Sequence, residues 1–82
     1  MAQVAILVRI TPEDIERVDQ LLNKIKQEFR PISIGTEDVG FGIKVIKALF
    51  YEDEDKGSAE LEDRLSKVEN VSSIEVLGVD RI

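Results

Sequence analysis

The sequence predicts an α+β sandwich, with two helices on one face of a four-stranded antiparallel sheet. Three observations predict it. Apolar residues alternate with period two near the start and again in the middle of the chain. A stripe at spacings of three and four lies between those two segments. Turn and cap signals then set the order as βαββαβ.

The first strand is carried by Val4, Ile6, Val8 and Ile10, which alternate with Ala5, Leu7 and Arg9. Thr11-Pro12-Glu13-Asp14 is expected to open the first helix: threonine can cap free N–H groups, proline suits the first helical position, and acids oppose the positive helix end. Ile15, Val18, Leu22, Ile25 and Phe29 form its apolar stripe. Arg30-Pro31 stops it, because the proline ring disfavours a helical residue before it. A short second strand over residues 31–38 holds Ile32 and Ile34, and Gly35 is expected to weaken or bend it.

Gly40-Phe41-Gly42 leads into a third strand over 43–51, with Ile46, Ala48 and Phe50 on one face and Val45, Lys47, Leu49 and Tyr51 on the other. An acidic loop, Glu52-Asp53-Glu54-Asp55-Lys56-Gly57, precedes Ser58, the expected cap of a second helix. Leu61, Leu65 and Val68 turn inward, Asn70 ends the helix, and 71–79 form the last strand. With right-handed crossovers this order is the ferredoxin-like βαββαβ sandwich, whose other sheet face is left open. Folds of this kind host many functions, so function must come from sites.

Composition narrows those sites. The 82 residues make a single domain, 1–82, without room for both a deep cleft and a stable core. Cysteine and histidine are absent, which excludes disulfides and thiolate metal sites and removes the usual general base near neutral pH. No apolar run approaches the ~20 residues of a membrane span, and the start lacks a signal peptide, so a cytoplasmic protein is expected. Without a secretory signal, the sequon Asn70-Val71-Ser72 carries no weight. A net charge of −6 argues against direct contact with nucleic acid, whose affinity comes mainly from neutralised phosphates. The acidic loop does not fit a calcium loop: counted from Asp53, the glycine comes one residue early and the twelfth position holds Arg64. Glu13 and Asp14 suit helix capping better than paired-carboxylate catalysis. No metal, cofactor or enzymatic chemistry is expected.

Two elements stand out. In Val39-Gly40-Phe41-Gly42-Ile43-Lys44, a phenylalanine between two glycines has little neighbouring bulk to cover it. In Val79-Asp80-Arg81-Ile82, a cation lies one residue from the end of the sequence, on a strand. Together they suggest a protein that works on a partner. From the residues alone, Phe41 could equally be a core residue steadied by a glycine-rich bend, and Arg81 an ordinary surface cation.

Gly40-Phe41-Gly42-Ile43-Lys44, the acidic turn Glu52-Asp53-Glu54-Asp55 and the ending Val76-Leu77-Gly78-Val79-Asp80-Arg81-Ile82 resemble the beta subunit of translation elongation factor 1. The short length looks like the archaeal form, the exchange domain alone. The resemblance implies a guanine-nucleotide exchange factor for translation elongation factor 1 alpha, the GTPase that carries aminoacyl-tRNA. It implies that Phe41 is the phenylalanine inserting into the GTPase domain, bordered by Val39, Gly40, Gly42 and Lys44. It also implies that Arg81 stands where the family has a lysine that disturbs the magnesium and phosphate loop, with Ile82 placing the chain end. Arginine is bulkier and planar, so its contacts there need not be the lysine's. A monomer is expected in isolation.

Two other readings compete. The RNA-recognition motif carries K/R-G-F/Y-G/A-F-V-x-F/Y at this place. Residues 39–46 lack its leading base, and Ile43 and Ile46 stand where it has aromatics. A small oligomerising or ligand-sensing domain would instead use an apolar open face formed by Leu7, Val45, Leu49 and Tyr51.

Overall fold

A computed structural model describes residues 2–82. Its elements run β1 (Gln3–Pro12), α1 (Val18–Phe29), β2 (Ser33–Gly40), β3 (Ile43–Asp53), α2 (Gly57–Ser66) and β4 (Val71–Arg81). The sheet order is β2-β3-β1-β4, with every neighbouring pair antiparallel, as the ferredoxin-like sandwich requires. Val4, Ile6, Val8 and Ile10 are buried against Val18, Leu21 and Ile25 of α1, Leu61 and Leu65 of α2, and Ile46, Ala48 and Phe50 of β3. At one end of this core Phe29 meets Phe50 edge-to-face, and the Arg64 guanidinium lies 5.2 Å over the Phe29 ring.

The boundaries differ from expectation where local signals had more than one reading. Pro12 ends β1 instead of opening α1. The cap falls to Asp14, whose side chain accepts the Glu16 N–H at 3.0 Å and starts a 3₁₀ turn, Ile15–Arg17, ahead of α1. That turn shifts the phase of the helix, so Leu21 faces the core, Leu22 packs at its margin and Ile15 is exposed. Arg30 ends α1 in the left-handed conformation (φ 50°), consistent with the proline after it. Gly35 does not bend β2, which pairs continuously until a register shift between Asp38 and Gly40; Ile32 lies outside the strand and is exposed. Ser58 lies inside α2 and caps nothing, the N-cap being Lys56. α2 stops at Ser66, before Asn70, and β4 runs two residues further than expected, to Arg81.

Asn70 instead clamps the β1–α1 connection to the start of β4. Its Oδ1 accepts the Asp14 N–H (2.8 Å), its Nδ2 donates to the Asp14 carbonyl (3.2 Å), and its own carbonyl accepts the Glu13 N–H (2.9 Å). It does so at φ 74°, a region asparagine tolerates better than most residues. Asn70→Ala removes two of these bonds and keeps the backbone demand, so a loss of roughly 1–3 kcal/mol is expected in urea denaturation.

Of the residues expected to make the open face apolar, Leu7 and Tyr51 are exposed and Leu49 is half-buried, whereas Val45 is buried. A row of charges crosses all four strands. Lys47 Nζ donates to Glu37 Oε2 at 2.7 Å, Arg9 pairs with Glu75 at 3.4 Å, and Lys47 and Arg9 are direct cross-strand partners. Val45 is only 3% exposed, beside the Glu37–Lys47 pair. The Lys47 hydrogen bond, helped by the charges of Lys47 and Arg9, holds the Glu37 carboxyl below its usual range. A depressed carboxylate pKa stabilises the fold above the unfolded value, and that contribution is lost as pH falls through the folded value. Lys47→Met should therefore raise the Glu37 titration midpoint in NMR. Its stability deficit at neutral pH should disappear once acid has protonated Glu37.

Candidate functional site

β2 and β3 are joined by a two-residue turn. Gly40 pairs with Ile43 across it, leaving Phe41 and Gly42 as the turn residues, with φ 57° and 74°. Positive φ at both central positions is the signature of a type I′ hairpin turn, whose right-handed twist suits the strands on either side. Asparagine-glycine is the usual choice there. Phenylalanine gains no local hydrogen bond from its side chain and must hold Cβ in the left-handed region, at a cost of roughly 1–2 kcal/mol. Asp38 stiffens the approach by accepting the Gly40 N–H at 2.9 Å.

The strained side chain is wholly in solvent, at 103% of reference exposure. A Cβ at Gly40 or Gly42 would meet nothing within 4 Å, so these glycines serve backbone conformation and leave Phe41 uncovered. Val39 and Ile43 flank it as exposed apolar residues, and the exposed Lys44 lies across from Asp38. Phe41 is thus not a core residue. It stands beyond the sheet and not on its face, which also removes the stacking platform that an RNA-recognition motif needs.

Arg81 and Ile82 are elsewhere. Arg81 is the last residue of β4 and lies opposite Val4, while the Ile82 N–H donates to the Gln3 carbonyl at 3.1 Å. Since Val4 also pairs with Glu52, the span of β3 from Ile43 to Glu52 separates the two sites by about 30 Å at ~3.3 Å per residue. The molecule's longest dimension is 41 Å, so the hairpin tip and the β4 end are its two poles. The predicted residues therefore form two sites: Val39, Gly40, Phe41, Gly42 and Lys44 at one pole, Arg81 and Ile82 at the other. Asp38, Ile43 and Glu54 join them without having been predicted. Glu54, in the turn between β3 and α2, accepts a hydrogen bond from Arg81 Nη2.

Neither pole is a catalytic cleft. Among the described residues no group of acidic side chains is arranged to hold a metal, and no helix is long and apolar enough to cross a membrane. What the poles offer is a bare aromatic ring at one end and a guanidinium that is 78% exposed at the other.

The chain is similar to known proteins over its whole length. A protein named elongation factor 1-beta from Aeropyrum pernix is 29% identical, the match covering all of this chain and 99% of that protein. Proteins of the same name from Desulfurococcus amylolyticus and Staphylothermus marinus are 34% and 35% identical, each match again covering all of this chain and 99% of the relative. The family described as the EF-1 guanine nucleotide exchange domain matches residues 5–82, from within β1 to the end of β4, with both helices, Phe41 and Arg81 included. The chain belongs to the EF-1 guanine nucleotide exchange domain family.

Proposed function

We propose that this protein is a single exchange domain, residues 1–82, that promotes GDP release from translation elongation factor 1 alpha in the cytoplasm, without covalent chemistry. The observation that carries this reading is Phe41, fully exposed on a turn that would be more stable without it. Strain kept at an exposed tip points to a residue retained for a partner. The family match and the relatives named elongation factor 1-beta support the choice of that partner.

Nucleotide in such a GTPase is held largely through its phosphates, by the phosphate loop and magnesium. A factor that binds the nucleotide-free form more tightly than the loaded form weakens nucleotide by the same factor. The 30 Å between the poles divides this work. Phe41, with Val39 and Ile43 around it, buries apolar surface in the GTPase and holds the complex together. Arg81 approaches the magnesium and phosphate region, where a cation competes with the contacts that retain GDP. Only the second contact depends on whether nucleotide is present, so it is the one that speeds release. No direct role for nucleic acid enters this scheme.

The test is release of a fluorescent GDP from elongation factor 1 alpha, with and without this protein. Acceleration that saturates with factor concentration is expected. An unchanged release rate at stoichiometric excess would overturn the proposal.

A further inference from the structure

The Arg81 side chain is engaged before any partner arrives. Its Nη2 donates to Glu54 Oε1, in a pair formed across three chain segments that meet at one corner of the sheet. The Glu54 N–H donates to the Ala2 carbonyl at 3.0 Å, and the Ile82 N–H to the Gln3 carbonyl at 3.1 Å. Gln3 pairs in turn with Asp53, and Val4 with Arg81. The backbones on both sides of the ion pair are thus fixed by the sheet and its margin. Only the side chains are free to separate.

From this geometry we propose that Glu54 is a positioning residue for Arg81, a releasable latch. It holds the guanidinium at the sheet corner until the phosphate-holding site of the partner takes it over. The inference rests on the exchange-factor reading above. A carboxylate and a phosphate are acceptors of the same kind for a guanidinium, so the bond to Glu54 occupies a donor that Arg81 would offer to a phosphate oxygen. Glu54 cannot follow Arg81 outward, because its backbone is tied to Ala2. Bidentate engagement of a phosphate by the whole guanidinium therefore competes with the latch.

The exposure of the pair makes the latch easy to open. Arg81 is 78% and Glu54 37% exposed, and a surface pair of this kind shifts a population by no more than about fivefold. The latch thus restrains Arg81 without preventing its transfer. Removing it raises the share of molecules with a free guanidinium, by a factor with the same ceiling. Because Phe41 docks about 30 Å away, the latch affects the step after docking and not docking itself.

The test uses Glu54→Gln, Arg81→Ala and the double variant, with Asp55→Asn as a control that removes the same charge from an exposed neighbour in the same turn. Two quantities come from fluorescent-GDP release: the saturating rate and the half-saturating concentration of the factor. A third comes from NMR of the Arg81 guanidinium in the free protein. Glu54→Gln should raise the saturating rate about two- to fivefold and leave half-saturation within about twofold. It should speed rotation of the guanidinium, and it should have no effect on release once Arg81 is alanine. Asp55→Asn should change none of the three. The latch is overturned by an unchanged or lower rate in Glu54→Gln, or by the same gain in the Arg81→Ala background or with Asp55→Asn. If the wild-type protein releases no GDP, the exchange-factor reading fails by itself. An Arg81 signal insensitive to Glu54→Gln would then overturn the latch separately.

Discussion

Replacing Phe41 with asparagine should raise the factor concentration needed for half-maximal GDP release at least about tenfold, while making the protein itself more stable. The two halves of this expectation have separate causes. Burying a phenylalanine side chain against a partner is worth roughly 1.5–3 kcal/mol, and aromatic anchors at the centre of interfaces often exceed 2 kcal/mol. Phe41 buries nothing within its own chain, so all of that surface is available to a partner and none of it is lost from the fold. Its backbone, at φ 57° before a glycine at φ 74°, already has the geometry in which asparagine-glycine is the preferred pair. Asparagine there relieves part of the left-handed strain, and a gain of about 0.5–1 kcal/mol is expected in urea denaturation. The saturating release rate should change much less than half-saturation if, as proposed, Arg81 acts on the nucleotide site once the complex has formed. Phe41→Ala should show the same weakening without the gain in stability. Unchanged half-saturation in Phe41→Asn would remove the anchor role, and a clear loss of stability would show that the ring packs against its own chain.

The contrast between Phe41 and Glu54 shows where sequence was sufficient. Alternation in β1 and β3 placed Val4, Ile6, Val8, Ile10, Ile46, Ala48 and Phe50 in the core, because a strand of period two has only two faces, but it did not show that Val45, on the other face, is buried too. Gly40-Phe41-Gly42 was legible as a distinct element, but the residues alone left it open between an exposed tip and a bend holding a core ring, and its exact form, a two-residue turn tightened by Asp38, needed the register. The start of α1 was ambiguous for a physical reason. Proline fixes φ near −65°, which suits a strand end as well as a first helical turn, and Thr11, Glu13 and Asp14 could all serve a helix start. The spacing of the two poles could have been deduced. β3 and β4 both run antiparallel to β1, so the start of one and the end of the other must lie at opposite ends of the sheet. The Glu54–Arg81 pair could not be deduced, because it depends on how a turn 27 positions earlier in the chain folds over the edge of the sheet.

Replacing Arg81 with alanine should lower the saturating rate of GDP release about ten- to a hundredfold, leaving half-saturation nearly unchanged. Arg81 contributes little to its own fold: its backbone is held by the β1–β4 ladder whatever the side chain, and its one ion pair is exposed. Thermal stability should accordingly move little. A hydrogen bond to a charged group is worth about 1.5–3 kcal/mol, or roughly ten- to a hundredfold when it is made only as the nucleotide leaves. If, as proposed, Phe41 and the apolar residues beside it dock the complex, the loss should fall on the rate and not on the affinity. This is the reverse of the pattern expected for Phe41, and the two variants together test the division of labour between the poles. Arg81→Lys discriminates further. If a mobile positive charge is what displaces magnesium or draws off a phosphate, lysine should retain the rate within about threefold. A lysine variant as slow as alanine would mean instead that the planar fork of the guanidinium makes two directed bonds at the nucleotide site. An alanine variant as fast as the wild type would end the role proposed for Arg81.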